Sequence, residues 1–159
     1  MASTSTAWSN TTIPQVLAGG LLNSETFTLA GTVYQGEIVK AEATTTHSYT
    51  VVEGSVACNT AVIAGADIPI GVAMESGVSG DKIAVALTGT VVYVREGDGV
   101  ATTCGALLTC GLNTTVLGCV SLALSTASGW AVGQSLDVIA ANSTGRMIVN
   151  PQFVSKAAS

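Results

Sequence analysis

Residues 68–95 constrain this chain more tightly than any other stretch. In Ile68-Pro69-Ile70-Gly71-Val72-Ala73-Met74-Glu75, the larger apolar residues Ile70, Val72 and Met74 alternate with smaller ones. Ile83, Val85 and Leu87 alternate in the same way after Ser76-Gly77-Val78-Ser79-Gly80. Side chains two positions apart share one face of a strand, so each run predicts a single buried face. The Gly/Ser linker has the composition of a hairpin loop. After Thr88-Gly89-Thr90, the β-rich run Val91-Val92-Tyr93-Val94-Arg95 continues the hairpin into a third strand.

Shorter pieces of the same grammar recur on both sides. Phe27-Thr28-Leu29-Ala30, Thr32-Val33-Tyr34, Tyr49-Thr50-Val51-Val52 and Arg146-Met147-Ile148-Val149 read as strands. In Gly36-Glu37-Ile38-Val39-Lys40, alternation puts Ile38 inward and Glu37 and Val39 on the opposite face. Asn150-Pro151 is expected to stop the last strand, because proline donates nothing to a ladder.

The two halves of the chain echo each other. Gly36-Glu37-Ile38-Val39 matches Gly105-Ala106-Leu107-Leu108, and Ile70-Gly71-Val72-Ala73-Met74 parallels Val120-Ser121-Leu122-Ala123-Leu124. Gly80-Asp81-Lys82-Ile83-Ala84-Val85 parallels Gly133-Gln134-Ser135-Leu136-Asp137-Val138. The expected fold is all-β: a small β-barrel or β-sandwich built from hairpins, arranged as two similar meanders. Residues 1–30 form an extended N-terminal arm and lead-in strand, and residues 31–159 a single β domain.

A chain of 159 residues is long enough to bury a core without a staple. Only 9% of residues are charged, against about 25% in an average soluble domain. The polar surface must therefore come from Thr, Ser, Asn and Gly, which suits a protein packed against copies of itself or a partner. A secreted Thr/Ser-rich β domain is the plainer alternative. The net charge of −5 and the scattered Lys40, Lys82, Arg95, Arg146 and Lys156 argue against nucleic acid, which needs a basic footprint. The uncharged run from Gly99 to Leu136 is broken by Thr, Ser, Asn and Gly. Its longest apolar-leaning piece, residues 116–124, is far short of the roughly 20 residues of a spanning helix. The polar residues 1–6 lack a basic residue and no apolar region follows them, so no signal peptide is expected.

Chemistry-bearing groups are sparse. Cys58, Cys104, Cys110 and Cys119 lie at long, irregular spacings without a C-x-x-C, and His47 is the only histidine. Structural zinc sites show close ligand pairs, so the cysteines read as small buried hydrophobes. One disulfide using Cys104, Cys110 or Cys119 is the alternative. His47-Ser48 lacks the glycine elbow of an activated serine. Glu96-Gly97-Asp98-Gly99 lacks the later acids of a calcium loop and reads as a solvated turn. The remaining acids stand singly beside turns, like a solvated rim. No enzyme activity and no cofactor are expected, since a catalytic pocket gathers groups of perturbed pKa.

Residues 1–12 are dominated by Ser, Thr and Asn, with Trp8 alone among them. Large apolar groups in a polar tail lack a partner unless the tail docks on something. Trp8, Ile13, Pro14 and Val16 are therefore the candidate partner-binding residues, as anchors of an arm laid across a neighbour by strand addition.

Ile70-Gly71-Val72-Ala73-Met74-Glu75, followed by Gly80-Asp81-Lys82-Ile83-Ala84-Val85-Ala86-Leu87-Thr88-Gly89, resembles the capsid cement or head decoration proteins of tailed bacteriophages. Gly105-Ala106-Leu107-Leu108-Thr109 and Gly133-Gln134-Ser135-Leu136-Asp137-Val138 resemble two further strands of that family, so the likeness covers roughly residues 30–150. It implies a small β-barrel-like structural virion protein, often a homotrimer, made in the host cytoplasm. Such a protein sits on the outer capsid surface and reinforces contacts between major capsid protein subunits. The alternatives are a secreted or surface adhesive or fibre module, and a capsid or tail-tube building block.

Overall fold

The computed structural model describes residues 16–41, 50–53, 68–110, 120–122 and 129–154. These form eleven strands: β1 (Leu17–Gly19), β2 (Ser24–Leu29), β3 (Ile38–Ala41), β4 (Thr50–Glu53), β5 (Pro69–Ala73), β6 (Lys82–Ala86), β7 (Val91–Arg95), β8 (Leu107–Cys110), β9 (Val120–Leu122), β10 (Gly129–Ser135) and β11 (Thr144–Val154). No helix occurs among the described residues. The fold is all-β. β2-β4-β3-β5-β6 close into a barrel, and a six-stranded sheet runs β1-β7-β11-β10-β8-β9.

The six-stranded sheet is a second copy of the barrel with one strand added. β2 pairs antiparallel with β6 through Ser24↔Ala86 to Thr28↔Lys82, and parallel with β4 at Leu29↔Val51. β7 pairs with β11 through Val91↔Ile148 to Arg95↔Thr144, and Glu96 bridges Val120 in parallel. That bridge brings the β9 end of the sheet back to β7. The remaining ladders repeat residue for residue: Ile38↔Val72 and Val39↔Gly71 in one unit, Leu107↔Gln134 and Leu108↔Gly133 in the other. Loop hydrogen bonds repeat as well. Gly36 N–H donates to Ala73 O and Met74 N–H to Ala84 O; Gly105 N–H donates to Ser135 O and Leu136 N–H to Arg146 O.

This register corrects two of the three sequence correspondences. Residues 36–39 do match 105–108. The true equivalent of Ile70-Gly71-Val72-Ala73-Met74 is Val132-Gly133-Gln134-Ser135-Leu136, and that of Gly80-Asp81-Lys82 is Asn142-Ser143-Thr144. The second match was hidden because Asn142 (φ 56°) stands where Gly80 (φ 92°) stands in the first unit. Asparagine is among the few residues with a side chain that tolerate the left-handed region. Gly71 and Gly133 are the recognisable pair. A Cβ on either would overlap a carbonyl oxygen of the neighbouring strand, that of Ala86 or Ile148.

Two cores result. Leu29, Val33, Val39, Val51, Ala73, Ile83 and Val85 fill the first barrel, with Phe27, Ile70 and Leu87 against them. The larger core joins Ile38, Val72 and Ala86, from the outer face of the first barrel, to Val92, Val94, Leu108, Val120, Val132, Met147 and Val149 of the second unit. The expectation of one buried face in residues 70–74 is therefore overturned. Val72 and Met74 face the shared core while Ala73 and Ile70 face the barrel interior. Ile38, Val39 and Glu37 are likewise all buried. β7 leaves the first barrel and starts the second unit.

Asn150-Pro151 does not stop β11. The β10–β11 register shifts between Ala131 and Gly133, from Gly133↔Val149 to Ala131↔Gln152. Asn150 and Pro151 fall in that bulge, where the ladder loses no donor to the proline.

Candidate interaction surface

Of the expected arm residues, Trp8, Ile13 and Pro14 lie outside the described residues. Val16 is 3% exposed and belongs to the larger core. Its carbonyl accepts the Tyr93 N–H at 2.8 Å. The β1 strand it begins pairs with the outer edge of β7, Leu17↔Val92 and Gly19↔Val91. Val16 thus serves the chain's own fold instead of standing out as an anchor. The described part of residues 1–30 is likewise built into the sheets, with β1 on the second unit and β2 a stave of the first barrel.

The solvated turn expected at Glu96 is also corrected. Glu96 is fully buried. One carboxylate oxygen accepts the Asp98 N–H, and the other accepts Gly99 N–H at 3.1 Å and Asn142 N–H at 2.7 Å. It ties the loop after β7 to the β10–β11 turn, at the position held by Leu29 in the first unit. Glu37 is buried too and accepts the Tyr34 N–H at 2.8 Å. Three turn amides converge on Glu96 and Glu37 takes the amide of Tyr34, so both carboxylates satisfy partly buried backbone donors. Residue type alone cannot reveal this, because a glutamate beside glycines is the composition of a solvated turn as well.

The other polar groups are committed similarly. Thr90 Oγ1 accepts Asn23 N–H at 3.0 Å and donates to Asn23 O at 2.9 Å, fastening the start of β2 to the start of β7. Arg146 makes a two-pronged contact with Asp137, at 2.9 and 2.7 Å, and its backbone N–H reaches the same carboxylate at 3.0 Å. These bonds hold the Asp137 carboxyl below its usual range and the guanidinium above its own. Cys104 is exposed, its Sγ 3.3 Å from Leu136 O, whereas Cys110 is buried. His47, Ser48, Cys58 and Cys119 lie outside the described residues. Among the described residues no group of three or more His, Cys, Asp or Glu is placed to hold a metal.

What the surface offers is apolar and extended. Leu21 (90% exposed), Val138 (70%), Val78, Val100, Leu22 and Phe153 face outward. Equivalent faces of the two units differ. Ile38, Val72 and Ala86 of the first barrel are buried against the second unit, while their counterparts Leu107, Gln134 and Ile148 are only partly buried or exposed. The edge of β7 carries β1. The matching edge of β2 carries no strand at residues 24–26 among the described residues. No protein-family model matches the chain, and no curated protein matches it.

Proposed function

We propose that the chain is a structural virion protein that binds the outside of an assembled tailed-phage capsid and reinforces contacts between major capsid protein subunits. It acts there as a homo-oligomer, with a trimer favoured. The observation that carries this reading is the position of the family-like segment within the fold. The strand-loop-strand at residues 70–87 is half of a repeated unit, and its structural counterpart is residues 132–149. The chain is thus two such units joined through a shared apolar core. A low-charge surface with partly exposed sheet faces suits a static module that acts by repeated contact over a shell, where many weak contacts sum to large avidity.

The test is direct. Purified protein is incubated with undecorated shells, imaged, and the shells are heated. Added density at fixed lattice positions and a raised shell disruption temperature are expected. Bare shells at saturating protein concentration would overturn the reading.

A further inference from the structure

We propose that the outer face of the β7-β11-β10-β8 sheet docks a second copy of this chain, which enters with the acidic β5–β6 loop of its first unit. This rests on the homo-oligomer reading above and specifies its contact. The face lies on four strands whose ladders join them side by side. One cross-strand row runs Val91, Ile148, Gln134, Leu107, and the next holds Tyr93, Arg146 and Leu136. Gln134, Arg146 and Leu136 are exposed and the other four half-buried. Arg95 stands two residues beyond Tyr93, on the same face. Both arginines of the chain therefore lie here.

The internal duplication gives this face a precedent. Its counterpart on the first barrel is the row Ala86, Val72, Ile38, with Met74 where Leu136 stands. That row is packed into the shared core against the second unit. The fold thus buries this face once within the chain and presents it again, accessible, on the second unit. The accessible version has the composition of a contact: a tyrosine, two arginines and aliphatic residues, without lysine or glutamate. Asp137 at its margin is held by Arg146, at 2.9 and 2.7 Å.

Charge selects the occupant. Two such faces meeting each other would set arginine against arginine, and like charges across an interface are costly. The contact is therefore head to tail, one copy's face against a different surface of the next. Residues 24–87 carry seven acids and two lysines, whereas residues 91–154 carry three acids and two arginines. The first unit is the complementary one. Its β5–β6 loop, residues 74–81, offers Val78, 55% exposed, between exposed Glu75 and Asp81. The loop is already held in shape, so docking loses little order. Asp81 Oδ2 accepts the Val78 N–H at 2.9 Å, and Val33 and Gly77 exchange two backbone bonds. Glu75 is the counterpart of Asp137, but Ala84 stands where Arg146 stands. The first unit thus supplies the acid of that pair without its arginine. A head-to-tail contact closes into a ring where its rotation allows.

The experiment uses the full chain, with mass read by native mass spectrometry and sedimentation, and fold by amide spectra. The unaltered protein should form a small closed oligomer that added salt weakens. Two double variants at exposed positions split the contact: Glu75→Lys with Val78→Lys on the loop, and Gln134→Glu with Leu136→Glu on the face. Each should keep its amide spectrum and lose the oligomer. Glu75→Lys alone, on the loop and away from the sheet, should weaken association at least about tenfold, and it carries the test if the face variant disturbs the fold. Mixed together, the two double variants should associate again, because the intact face of one meets the intact loop of the other. Three results would overturn the contact: a monomeric unaltered protein, an oligomer that survives the loop variants, or double variants that stay apart when mixed. The same proteins are added to undecorated shells. A monomer that still decorates them sinks this contact and leaves the capsid reading standing. An oligomer that the variants dissolve but that leaves every shell bare supports the contact and sinks the capsid reading.

Discussion

A few residues hold this fold at points where backbone donors or strands converge. Glu96 accepts three loop amides from within the protein. Truncating it removes three charge-assisted bonds from partly buried turn amides, so Glu96→Ala should lower the unfolding free energy by about 2 kcal/mol, read from denaturant midpoints. Gly71 and Gly133 meet a carbonyl oxygen where any Cβ would stand. Alanine at either should destabilise by more than about 2 kcal/mol. Gly89→Ala, at φ 90° in open space, should cost only about 1 kcal/mol. Asp137 supplies a pH signature. Its carboxyl is held low by Arg146, so its contribution is present above the unfolded-state value of about 3.9 and is lost as pH falls through the lower folded value. Asp137→Asn should therefore flatten the acid limb of a urea-midpoint profile below about pH 4. The effect is small because the pair is solvent-exposed.

At the scale of elements, the two units solve one packing problem with the residues exchanged. In the first barrel Gly77 lies under Ile83 and Leu29, 3.1 and 2.8 Å from where its Cβ would be. In the second unit the isoleucine sits on the other partner: Ile139 fills the space over Gly145, 2.5 Å from where that Cβ would be. Each unit thus has one bulky residue and one glycine across the same contact. Gly145→Ile alone should be severely destabilising, and Ile139→Gly alone should cost about 4 kcal/mol. The double variant rebuilds the arrangement of the first barrel and should recover more than about 1 kcal/mol relative to the sum, as a thermodynamic cycle would show.

For the whole molecule, the shared core decides cooperativity. Ile38, Val72 and Ala86 belong to strands of the first barrel but are buried with residues of the second unit. A fragment of residues 16–88 would expose them, together with the face of a sheet, so it should aggregate or remain partly unfolded. The intact chain should melt in one calorimetric transition with matching van't Hoff and calorimetric enthalpies. Two separate transitions would show that the core does not couple the units.

The sequence by itself determined the all-β class, because period-two alternation and glycine-bounded runs are local properties. It also carried the hint of duplication, through Gly36-Glu37-Ile38-Val39 and Gly105-Ala106-Leu107-Leu108. Alignment of the later strands was left to the tertiary structure, since a positive φ can be met by Gly80 or by Asn142, and a packing volume by Ile83 or by Ile139. Tertiary structure also decided that Glu96 is buried, that Val16 is core, and that Pro151 falls in a bulge. Each depends on what lies across a strand or loop from the residue, and no local pattern encodes that neighbour.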